Sequence, residues 1–102
     1  MAVTQFAFSR IANPGTGYIP IALADANVSS EQKTPSASNQ QTTVSAPLVG
    51  EPCMCSVATD TAVYVAFGSS PDATNTALRF FMPANTARSF VVKAGDKAAV
   101  AT

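Results

Sequence analysis

The large apolar residues of this chain fall into short alternating runs. The clearest is Val63-Tyr64-Val65-Ala66-Phe67, where Val63, Val65 and Phe67 share one face of an extended strand and Tyr64 and Ala66 share the other. Leu78, Phe80 and Met82 alternate with Arg79 and Phe81. Cys53, Cys55 and Val57 alternate with Met54 and Ser56, and Phe6 and Phe8 bracket Ala7. Between the runs stand dense turn signals: Asn13-Pro14-Gly15-Thr16-Gly17, Thr59-Asp60-Thr61, Gly68-Ser69-Ser70-Pro71-Asp72, Pro83-Ala84-Asn85 and Ala94-Gly95-Asp96-Lys97. The last of these reads as a hairpin turn. Turns recur roughly every 8–14 residues, as in a sandwich or small barrel, with no alternation of strands and helices. The pattern predicts an all-β fold, an antiparallel β-sandwich or small jelly-roll or barrel with a long polar extended arm. Strands are expected over residues 4–8, 18–23, 53–58, 62–67, 78–82, 89–93 and 97–101. Pro20 lacks a donor and demotes its run to an edge. The two inner faces are expected to hold Val57, Val63, Val65, Phe67, Leu78, Phe80, Phe90, Val92 and Val100.

The chain reads as one domain, residues 1–102, in three stretches of different composition: 1–24, 25–47 and 48–102. The first holds two strand-like runs around a turn, and the third holds most of the large apolar residues. The middle stretch is nearly all small or polar and carries no helical apolar stripe. With so little to bury, it cannot offset its own ordering entropy. It is therefore expected to be mobile alone and ordered only against a partner. Its members Asn27, Val28, Glu31, Lys33, Gln40 and Gln41 are candidate interface residues, together with Arg79 and Phe81. Arg79 sits among apolar neighbours, either as an edge charge that discourages mis-pairing or as half of an interface ion pair. Phe80 and Phe81 point to opposite faces of one strand, so both cannot enter one core. One of them must meet a second layer, the polar arm or another subunit.

Composition narrows the chemistry. Apolar residues make up 47% of the chain, but 19 of those 48 are Ala, so the core is modest and apolar surface is left for neighbours. Six basic and six acidic residues balance, and the basic ones are scattered singly, which excludes a nucleic-acid binder built on phosphate neutralisation. There is no His, hence no Ser-His-Asp or Cys-His arrangement and no ordinary general base near neutral pH. The glycine-containing turns lack the Gly-Lys-Ser/Thr of a phosphate loop, and no loop gathers the acidic residues of a calcium site. No enzyme activity, cofactor or metal is expected. Cys53 and Cys55 are expected to be reduced, buried thiols: two neighbouring cysteines make no disulfide scaffold, and no His is present to complete a zinc site. No apolar run approaches the ~18 residues of a membrane span, and the first residues lack a secretory signal, so a soluble protein without membrane contact is expected.

From residue 57 onward the order of elements carries a resemblance. A strand ends in Phe67-Gly68, a loop follows with Pro71-Asp72-Ala73-Thr74, a strand ends in Met82-Pro83-Ala84, and Val92-Lys93-Ala94-Gly95-Asp96-Lys97 closes the chain. This resembles small virion structural proteins of tailed bacteriophages. The resemblance implies a β-sandwich subunit on a phage particle, a capsid decoration or cement protein made in the host cytoplasm. Its partner would be the major capsid protein, and it would act as a homo-oligomer, with a trimer favoured and a dimer open. A head–tail connector, tail or fibre-base component is the alternative within the same class. A carbohydrate-binding or adhesive sandwich lies outside it, and the absence of Trp speaks against a sugar-stacking platform.

Overall fold

Alternation of large and small side chains becomes pairing once strands find each other. The computed structural model describes residues 2–12, 21–23, 28–48 and 52–102. Its strands are β1 (Thr4–Ala12), β2 (Ile21–Leu23), β3 (Ser29–Lys33), β4 (Gln40–Gln41), β5 (Cys53–Thr59), β6 (Val63–Gly68), β7 (Phe80–Met82), β8 (Thr86–Val92) and β9 (Lys97–Ala101). Two sheets result. In the first, β1 lies between β5 and an edge that β2 and β3 share end to end, with β8 beyond β5. The second runs β4-β9-β6-β7. All strand pairs are antiparallel, and the fold is the expected all-β sandwich.

Register places the alternating residues face to face. Phe6 and Phe8 stand opposite Val57 and Cys55, and Cys55 stands opposite Phe90. In the other sheet Val65 lies between Val100 and Phe80, and Val63 opposite Met82. The core is Phe6, Phe8, Cys53, Cys55, Val57, Val63, Val65, Met82, Ala98 and Val100, all buried. Each fully buried large side chain contributes about 1.5–3 kcal/mol of transfer free energy. At one end of the first sheet, Thr4 and Thr59 close the interior with a hydroxyl–hydroxyl bond of 3.0 Å.

Four expectations need correction. The Gly95 turn is no hairpin: it carries the chain from β8 in one sheet to β9 in the other. Gly95 has φ 82°, and a Cβ there would meet Leu48 Cδ2 at 3.2 Å, so this crossover depends on glycine. Leu78 and Phe80, assigned to the core by alternation, are 70% and 51% exposed. Their strand begins at Phe80 and lies at the rim of its sheet, where one flank has no neighbouring strand among the described residues. The rest of that core expectation holds, with Phe67 and Phe90 only partly buried.

The fourth correction concerns the polar arm. From Val28 onward it is built into both sheets. Five residues of β3 pair with β1, and β4 pairs with β9. Backbone N–H groups of Thr42, Ala46 and Thr102 donate to the carbonyls of Ala98, Asp96 and Ser36 at 2.8, 2.7 and 2.9 Å. A sheet edge offers backbone partners to any sequence, and only Thr42 and Ala46 of this segment need to enter the interior. Asn27 and the start of the expected strand over 18–23 lie outside the described residues.

Candidate functional site

The sandwich has two lateral sides, and polar residues close one of them. Glu31 of β3 points toward the segment that runs along β9. Its carboxylate accepts from the N–H of Thr43 at 2.8 Å, the hydroxyl of Thr43 at 2.9 Å and the N–H of Val44 at 3.1 Å. Lys33 Nζ lies 2.9 Å from its other oxygen. Burial alone would raise the Glu31 pKa. The Lys33 ammonium and the three donors outweigh burial and hold it at about 2, against 4.5 for the ordinary group. Ser29 adds a hydroxyl bond to the carbonyl of Ser45. Glu31 and Lys33, expected to reach a partner, thus bind the two sheets of their own chain together.

The outer face of the second sheet is covered by the loop between β6 and β7. Asn39 holds this loop with both ends of its amide: its Nδ2 donates to the carbonyl of Pro71 at 3.0 Å, and its Oδ1 accepts from the N–H of Ala73 at 2.8 Å. Gln41 Nε2 donates to the same Pro71 carbonyl at 3.0 Å. Ala73 is thereby pressed onto Ala66, Ala99 and Ala101, a small second core. Gln40 donates to the hydroxyl of Ser36. Gln40 and Gln41 therefore also serve the fold, while Val28 is 44% exposed. Beyond the loop, Arg79 places its guanidinium carbon 3.5 Å from the centroid of the Tyr64 ring, and Phe81 tilts against that ring at 5.4 Å. The positive charge expected at an edge or in an ion pair is a cation–π contact.

The opposite lateral side is open. Here, among the described residues, β7 is the rim of the second sheet and β8 the rim of the first. Three rings bridge them: Phe67 to Phe90 at 4.8 Å and Phe80 to Phe90 at 5.2 Å. They line a cleft of about 800 Å³ whose mouth carries Pro52, Lys93 and Asp96. Phe80, Phe81, Leu78 and Val91 are each about half exposed or more. Of the expected interface residues, Arg79 and Phe81 do not line this cleft: both contact Tyr64 at the outer face of the second sheet. Leu78, Phe90 and Val91 were not singled out as surface. The signal was Phe90-Val91-Val92, a run that must put apolar residues on both faces of its strand, as Phe80-Phe81 does.

Asp72 accepts from Thr74 and Asp96 from the N–H of Lys93, each in its own turn, and Asp60 accepts from the N–H of Val3 across the end of the first sheet. The side-chain and backbone bonds from Thr74 keep Asp72 below the usual carboxylate range. Cys53 and Cys55 are buried and unbridged, and burial pushes the Cys55 thiol up to about 12, which leaves no thiolate for attack. Among the described residues, no three His, Cys, Asp or Glu gather as a metal site. No protein-family model, curated protein or solved structure matches the chain.

Proposed function

We propose that this chain is a non-enzymatic structural protein of a tailed-bacteriophage particle, one that binds the outside of the capsid and stabilises it. The observation that carries the reading is the contrast in surface. A chain of zero net charge leaves four large apolar side chains exposed on or next to β7 and β8, the rim strands of its open side, and commits its polar segment to internal bonds. Such a side serves protein contact, and many weak contacts on a repeating shell add up through multivalency. The succession of strands and turns from residue 57 onward, which resembles small virion proteins, supplies the particle.

Particles made from the genome that encodes the chain test this by mass spectrometry and subunit-resolved imaging. The expected result is a copy on every capsomer or between capsomers, with particles lacking it rupturing at lower temperature. Absence from the particle would overturn the virion reading. A ring of copies at the neck or tail would replace decoration by a connector or tail role.

A further inference from the structure

As the rim of the first sheet among the described residues, β8 turns one row of backbone N–H and C=O groups away from β5. Sheet rims are usually guarded by proline, by bulges or by several charges. The seven residues of β8 hold one charge, Arg88, and its guanidinium lies over the Phe90 ring of the same strand at 5.3 Å. We propose that this rim receives a second copy of the chain. The two β8 strands pair antiparallel about a twofold axis at Ser89 and join the two first sheets into one.

The residues of β8 choose that axis. With Ser89 opposite itself, all seven residues are paired. On the inner face Arg88 meets the other copy's Phe90, so the guanidinium keeps an aromatic partner across the seam. Thr86 meets Val92 on the same face. On the outer face Val91, 59% exposed in the single chain, is covered by Ala87. An axis at Arg88 would set two guanidiniums directly opposite each other, a destabilising pair. An axis at Phe90 would pair five residues instead of seven.

Area agrees. Seven residues of strand span about 24 Å. The short dimensions of the molecule are 26 and 25 Å. A side of that size presents roughly 600 Å² per copy, about 1,200 Å² for two, the lower end of specific interfaces. The Phe80 ring, packed on Phe90, lies beside the seam and loses its exposure there. A dimer therefore takes the place of the trimer in the expectation for this chain. The proposal stands on the rim of β8 alone, whatever particle the chain belongs to.

The test uses the full chain and single cysteines. Cys53 and Cys55 are buried, so an added surface thiol reports alone. Ser89→Cys should oxidise to a covalent species of twice 10.5 kDa. Ala87→Cys, in the same strand but opposite Val91, and Ser30→Cys, on the far rim, should stay single. In sedimentation, Ser89→Lys alone should weaken the dimer at least fivefold, as should Ser89→Glu, and an equal mixture of the two should restore it. A 10.5 kDa species at every concentration from micromolar to millimolar would overturn the proposal. So would a trimer, or equal cross-linking at all three positions. Amide signals of β8 that move only when a capsid protein is added would give the rim to the shell instead.

Discussion

The two lateral sides of this sandwich solve the same problem in opposite ways. Each is where two sheets end, with backbone groups and the flank of the core facing outward. On one side the chain covers the gap with its own polar segment: Glu31 bolts β3 to Thr43 and Val44, and the backbone of residues 36–46 follows β9. On the other side no polar segment of the described chain crosses the gap: Phe67 and Phe90 are only partly buried and Phe80 is half exposed. The polar side needs no apolar residues because its partners are hydrogen-bonding groups already present in the backbone. The aromatic side keeps apolar area outside, and on the proposed reading another protein would cover it. Polarity in this molecule thus marks what is finished, and exposed apolar surface marks what is not.

The comparison breaks first at the core that both sides share. Phe6→Ala should cost about 3–5 kcal/mol in urea unfolding, because its buried ring leaves a cavity. Phe80→Ala, at half the burial, should cost no more than about 1.5 kcal/mol while weakening self-association. Equal losses for the two would mean that the aromatic side is as closed as the polar one.

Glu31→Gln comes next, at about 1.5–3 kcal/mol, since the bonds it weakens are to a charged acceptor. The sign of its pH dependence follows from its pKa. Folding lowers the value from 4.5 to about 2, so the contribution is present in full above the unfolded value. It is lost as pH falls from 4.5 through about 2. Urea midpoints measured across that window should fall more for the natural chain than for the Glu31→Gln variant. Parallel curves would remove Glu31 as the bolt.

Asn39→Ala should cost about 1–2 kcal/mol and speed hydrogen exchange at the N–H of Ala73, with exchange in β5 unchanged. The smallest effect is expected from Arg79→Ala, about 0.5–1 kcal/mol, through lost contact with Tyr64. Because that contact uses a full charge, Arg79→Lys should recover part of it. No recovery would mean that packing of the arginine stem, and not charge, shields the ring.

Much of the fold was legible from residue order. Period-two runs located β5 and β6 to within a few residues, because large side chains that share one face of a strand must alternate, and the turns at Pro83-Ala84-Asn85 and Gly95 bounded β8 and β9. Runs of adjacent large residues were harder. Phe80 and Leu78 follow the inward period, yet Leu78 falls in the turn before β7 and a rim position leaves Phe80 exposed, and no local pattern says which strand of a sheet is last. The site was legible in part. Phe81 stays half exposed beside Arg79 and Tyr64, whereas Glu31, Lys33, Gln40 and Gln41 turned out to be internal fasteners.

Taken alone, the order of residues determined the fold class, the face each side chain takes along its strand, and the absence of histidine-based chemistry. These are local consequences of backbone geometry and composition. The tertiary structure decided which strands became rims, that the Gly95 turn changes sheets, and that a polar segment fills one gap and leaves the other. Those outcomes depend on pairing between residues far apart in the chain. Backbone groups that accept any sequence as a partner carry no mark in the sequence of the partner they will take.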